Sequence, residues 1–195
     1  KWKEVERLCQ KETVDFLRTW YNSEKKFVRK PDLYDEYAKM IGRPGRSSLQ
    51  SVVVFCDELV ASAEIYGAIL DPSSNTIYRG MVKIGQQTEI INHLRFIREL
   101  GFVAMRPLIL AAIRHRSEIA LRVIALAELV AVRNIGGNTN TLEKPYSSAA
   151  IVLADSRIKD EKALEEVRRI LLPHLPSVDK LQANLEDYSF NNKNS

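Results

Sequence analysis

From Ile119 to Val132 the chain is apolar at nearly every position, with Arg122 and Glu128 the only charged interruptions before Arg133 closes the run. A helix that is apolar around most of its circumference has to be enclosed by other structure. A membrane-crossing helix needs about 20 apolar residues. This run is shorter than that and is framed by charged segments, so it predicts the central helix of a bundle. Gly136 and Gly137 follow it and offer the left-handed backbone positions that end a helix. Asn140 with Glu143 three residues on is an Asn form of the capping box that opens the next one. The expected central helix covers residues 119–135.

Helical periodicity governs the rest of the chain, and strand alternation is nearly absent. Leu49, Val52, Val53, Cys56, Val60, Ala63 and Gly67 recur at spacings of three and four, which predicts a long buried helix over 47–70, widened by Phe55, Leu59, Tyr66 and Ile69. Asp71-Pro72-Ser73-Ser74-Asn75 ends it with turn chemistry, and 76–85 reads as loop. Ile90, Ile91, Leu94, Ile97 and Leu100 form one face of a further helix, with Asn92, Arg95, Arg98 and Glu99 opposite and Gly101 as its stop. Over 160–172, Ala163, Leu164, Val167, Ile170 and Leu171 point inward beneath a charged outer face that carries i,i+4 pairs, until Pro173 and Pro176 break the helix. Shorter helices are expected over 2–9, 13–21, 32–41 and 177–188. The fold class is therefore all-α: an irregular bundle of about ten helices. We expect a single helical domain over 1–195, with a subdivision at 1–75 and 86–195 joined by the loop 71–85.

The chain has 195 residues, 45% of them hydrophobic and 28% charged. That is enough to bury a core without disulfides or metals. Cys9 and Cys56 are isolated and read as free thiols. With no signal peptide or membrane span in the sequence, a cytoplasmic location is the expectation.

The search for chemistry is largely negative. His93, His115 and His174 are scattered without metal-ligand spacing. The segment Gly42-Arg43-Pro44-Gly45-Arg46-Ser47-Ser48 lacks the lysine and the glycine spacing of a phosphate loop and reads as a turn into a helix. Asp57 and Glu58 are adjacent and face different directions, so they do not converge as an acid–base pair. No catalytic residue, cofactor or metal is expected.

The net charge of +4 permits nucleic-acid contact without requiring it. Its distribution singles out Lys25, Lys26, Arg29 and Lys30 before Pro31, together with Arg114 and Arg116 around His115. These are helix-end or loop positions, where cations also complement the helix dipole. With Arg133 they are the candidate phosphate contacts. Trp20, Tyr21, Tyr34 and Tyr37 form an aromatic group that reads as core or, alternatively, as a protein-interaction surface.

Four segments occur in an order that resembles the helical middle region of the GmrSD-type modification-dependent restriction proteins. They are Asp15-Phe16-Leu17-Arg18-Thr19-Trp20-Tyr21, Leu33-Tyr34-Asp35-Glu36-Tyr37, Arg106-Pro107-Leu108-Ile109-Leu110, and Val130-Ala131-Val132-Arg133-Asn134-Ile135-Gly136-Gly137. That family pairs an N-terminal nucleotide-hydrolysing domain with a C-terminal HNH-type nuclease. The acidic and Asp-Gly-x-Gln-Arg-type motifs of the first and the His-containing motifs of the second are missing here. The resemblance thus implies a fragment lying between two catalytic modules. It would be a non-catalytic connector that couples nucleotide or DNA-modification sensing to cleavage in phage defence, with the flanking domains and DNA as partners. Arg106, Pro107, Gly136 and Gly137 are its expected structural residues, and Arg133 borders the apolar run. The alternatives are a stand-alone helical nucleic-acid-binding module, which requires the basic clusters to share one surface, and a protein-interaction scaffold.

Overall fold

The computed structural model describes residues 1–41, 49–72, 82–137 and 139–193. The expected turn Gly42–Ser48, with Arg43 and Arg46, lies outside the described residues, as does the 76–81 part of the expected loop. Among the described residues there are ten α-helices and no strand. They are α1 (Trp2–Leu8), α2 (Thr13–Glu24), α3 (Leu33–Ile41), α4 (Leu49–Leu70), α5 (Gln87–Glu99), α6 (Arg106–His115), α7 (Ala120–Arg133), α8 (Glu143–Ala154), α9 (Asp160–Leu171) and α10 (Val178–Lys193). None of them is long and apolar enough to cross a membrane.

The most enclosed element is α6. Every residue from Pro107 to Ile113 is buried, because the helix packs against α8, α2, α7 and α4 at once. Pro107 is tolerated there since it sits in the first turn, where its missing N–H removes no helical bond. The apolar run that drew attention in the sequence forms α7, which is buried along Ala120, Val123, Ile124, Ala127, Val130 and Ala131. Its other side departs from the expectation of all-round enclosure, since Leu129 is 45% exposed.

The first half of α4 departs in the same way. Val52, Val53 and Val54 are exposed, and the deeply buried residues come later, at Leu59, Ala63, Ile65, Tyr66, Ala68 and Ile69. Periodicity finds the apolar face of a helix, but neighbours are needed to cover it. One core cluster joins α1, α2 and α4 to α5 through α9, so residues before 71 and after 85 share the same interior.

Local stops follow the sequence in part. Gly101 adopts φ +68 after α5 and Gly136 adopts φ +79 after α7, backbone that a side chain disfavours. Gly137 is different: an added Cβ would lie 3.2 Å from both the Asn134 carbonyl oxygen and Asn184 Nδ2, so it is glycine for space. The expected capping box is not formed. Asn140 falls within a 3-10 turn, Thr139–Leu142, and Glu143 is the first residue of α8, behind an N-cap Leu142 that makes no side-chain cap.

The aromatic group is mostly core. Trp20 packs edge-on to Phe55 with centroids 5.4 Å apart, and Tyr37 lies 5.4 Å from Tyr21. Tyr34 is the exception at 81% exposure. It sits on the solvent side of α3, where the other aromatics have no surface to offer it.

Candidate functional site

The sequence of α2 places Asp15, Arg18, Thr19 and Asn22 at spacings of three and four, and so on one helical face. That face forms one wall of a cleft of about 300 Å3; Val103, Ala104, Arg106 and Pro107 at the entry to α6 form the other, and Glu143 at the start of α8 closes the end. Arg106 Nη1 donates to Glu12 Oε2 at 2.5 Å and to the Tyr66 hydroxyl at 2.8 Å, while Tyr66 donates to the same carboxylate at 2.9 Å. The guanidinium also lies 5.6 Å from the Tyr66 ring centroid. Three side chains thereby join the turn before α2, the C-terminal part of α4 and the first residue of α6.

A second tie is made by Arg18, whose Nη2 donates to Glu143 at 2.6 Å and whose Nε donates to the Val28 carbonyl at 3.2 Å. Asn22 holds the same residue from both sides, accepting from Val28 N at 2.8 Å and donating to Val28 O at 3.3 Å. The basic loop after α2 is therefore anchored at Val28, with Lys25, Lys26, Arg29 and Lys30 exposed around it.

Two of these cations already hold carboxylates. Lys26 pairs with Glu36 at 2.6 Å and Lys30 with Asp15 at 3.0 Å. Hydrogen bonds from Lys26, Lys39 and Tyr21 hold the Glu36 carboxyl well down, at about 2, so it remains an anion at any physiological pH. Lys25 Nζ rests 5.9 Å from the Trp20 ring centroid. Arg29 has no ionic partner among the described residues.

The Arg114–Arg116 cluster meets this loop through one carboxylate. Glu24, the last residue of α2, accepts from Arg114 at 3.2 Å and pairs with His115 Nε2 at 2.7 Å, while Arg114 also donates to Ser62 Oγ at 2.8 Å. Burial pushes the Glu24 carboxyl up, but the hydrogen bond from His115 and the charges of His115, Arg114 and Lys25 outweigh it and leave it below its ordinary value. The two basic clusters are neighbours, as a nucleic-acid surface would require, yet their meeting point is an internal ion pair.

Arg116 turns inward. Its side chain is 9% exposed and donates to the Leu153 carbonyl at 2.8 Å, the Asp155 carbonyl at 2.5 Å and the Asp160 carboxylate at 3.0 Å. A phosphate contact at Arg116 is excluded by this burial, and the residue is a staple between the end of α6, the end of α8 and the start of α9. Arg133 is exposed and has no ionic partner among the described residues. Arg106 and Pro107 form the first turn of α6, Pro107 buried and Arg106 partly so.

Burial raises the Tyr66 hydroxyl far above its ordinary range, so it stays protonated and acts as a donor to Glu12. Each carboxylate of the cleft already faces a cation, and among the described residues no group of three or more His, Cys, Asp or Glu could hold a metal ion. Cys9 is buried, which drives its thiol up to about 12, too high for a nucleophile at neutral pH.

Glu12, Glu24 and Asp160 were not singled out in the sequence, and Tyr66 and Glu143 were named there only as a core position and a helix cap. Their partners are far away along the chain, and spacing carries no signal for such pairs. Comparison of the chain with protein-family models, curated proteins and solved structures gives no match.

Proposed function

We propose that this chain is a non-catalytic helical connector of a modification-dependent DNA restriction protein of the GmrSD type, coupling nucleotide or modification sensing to the nuclease. The observation that carries the reading is the use of its arginines. Arg106, Arg18 and Arg116, two of them within the segments that resemble the family, each bind groups on two or more other parts of the bundle. Partly or fully buried, multiply bonded cations fix helices in one relative geometry, which suits a body that passes a displacement between modules. They are poorly suited to reading a phosphate backbone, which needs cations open to solvent.

A DNA titration tests the choice between connector and independent nucleic-acid module. Of the candidate contact residues, those exposed and without an ionic partner among the described residues are Lys25, Arg29 and Arg133. Each released counterion contributes about −0.9 to the slope of log K against log salt. The connector reading expects weak binding to a fluorescent duplex, with a slope no steeper than about −3. Tight binding with a much steeper slope, for modified or unmodified duplex, would establish the independent module instead. In the parent protein that the connector reading requires, Arg106→Met is expected to lower modification-dependent cleavage while nucleotide hydrolysis persists. Equal loss of both activities would argue against coupling.

A further inference from the structure

The outward side of α7 is out of keeping with a protein surface. Leu121, Ala125, Leu129 and Val132 recur on it at spacings of four, four and three. Leu129 is 45% exposed and the other three are only partly covered. α7 packs against both α5 and α9, and the His93–Glu128 hydrogen bond at 2.7 Å and the Arg122–Glu161 ion pair at 2.6 Å tie it to them. On α5, Phe96 is 41% exposed and borders the same hollow as Glu128. The result is a row of aliphatic side chains with an aromatic beside it and charges at its ends. Apolar side chains left half open along one helix face, with Leu129 the most exposed, are the kind of surface an interaction covers.

The charges select the occupant. Glu118 stands in the turn that opens α7, exposed and, among the described residues, paired with the equally exposed Lys83 at 3.2 Å. Arg133 stands at the other end of the same helix, exposed and with no ionic partner among the described residues. An anion at one end and a cation at the other make the face complementary to itself when it is turned end for end. A two-fold axis between Ala125 and Leu126 sets Arg133 opposite Glu118 of a second copy, and it sets Arg122 opposite Leu129. Ala125 at the centre is small enough for two helices to approach closely. A parallel pairing would instead oppose Arg133 to Arg133 and Glu118 to Glu118, which is repulsive. We infer that the outward face of α7 is an isologous interface at which a second copy of this chain docks with its own α7 antiparallel.

Sedimentation equilibrium of the full 195-residue chain over a range of concentrations is the test. The apparent mass should rise to twice that of the chain. Leu129→Arg puts a cation against Arg122 of the second copy and should return the protein to monomer, with far-UV circular dichroism and thermal midpoint unchanged because Leu129 faces solvent in the monomer. Arg133→Glu and Glu118→Arg should each weaken the dimer roughly tenfold, and the two together should restore it. A chain that is monomeric at every concentration overturns the inference. So does a dimer that Leu129→Arg leaves intact, or a double reversal that fails to recover association, since each removes either the face or the antiparallel register.

Discussion

At Gly137 the chain has no room for a side chain. The Asn134 carbonyl that an added methyl would meet cannot withdraw easily, because Asn134 Nδ2 is tied to the Val130 carbonyl at 2.8 Å and the His174 carbonyl at 3.1 Å. Gly137→Ala is expected to cost about 1 kcal/mol in a urea melt, the scale of a modest overpacking. Removing the other obstacle with Asn184→Ala should recover only part of it. Glu24 makes a second prediction at this scale. Its folded pKa lies below the ordinary 4.5, so the unfolded chain takes up the proton first. The stabilisation is complete above about pH 4.5 and is lost as pH falls through the lower folded value. The pH dependence of the urea midpoint should therefore steepen below that point, and Glu24→Gln should flatten it. An unchanged slope in the variant would show that Glu24 does not carry the effect.

Among the elements, α6 and its two ends hold the bundle together. Its N-terminus is fixed by Arg106 with Glu12 and Tyr66, and its C-terminus leads into Arg116 with α8 and α9. Removing one partner from a buried, hydrogen-bonded charge group leaves the others unsatisfied, and Arg116→Ala is expected to cost about 3–5 kcal/mol. Arg116→Lys should rescue little, because a single ammonium cannot reproduce the planar fork that reaches two carbonyls and a carboxylate. Hydrogen exchange should locate the damage in the turn 155–159 between α8 and α9. Arg106→Met should cost less, about 2–3 kcal/mol, since Glu12 is half open to water and can be hydrated once its partner is gone. Several elements were legible from the residues alone. α9 begins at Asp160 as its charge pattern requires and ends one residue before the expected stop, and α5 stops beside Gly101 for the reason that residue suggests. The Asn140–Glu143 cap failed because the backbone tightens into a 3-10 turn, and Glu143 is drawn to Arg18.

For the whole molecule, one hydrophobic interior spanning α1 to α9 means that the segments on either side of residues 71–85 cannot unfold separately without exposing a shared core. A single cooperative transition is expected, with far-UV circular dichroism and the fluorescence of the buried Trp20 giving coincident midpoints. Two separated transitions would show two independent units. α10 carries exposed residues at Val178 and Leu185 and makes few contacts with the bundle, so its amides should exchange well before those of α6.

The sequence by itself determined that this chain is helical, where most helices start and stop, and which side of each is apolar, because those properties depend on residues within a few positions of one another. Only the tertiary structure decided which apolar faces are covered, leaving Leu129 and Val52–Val54 open while enclosing α6. It likewise decided which cations are free, turning Arg116 and Arg114 into internal ties and leaving Arg133 exposed. The physical reason is the same in both cases. Burial and ion pairing are set by neighbours brought together from distant parts of the chain, such as Glu12 and Arg106 or Glu24 and Arg114, and no local spacing encodes which distant side chain will arrive.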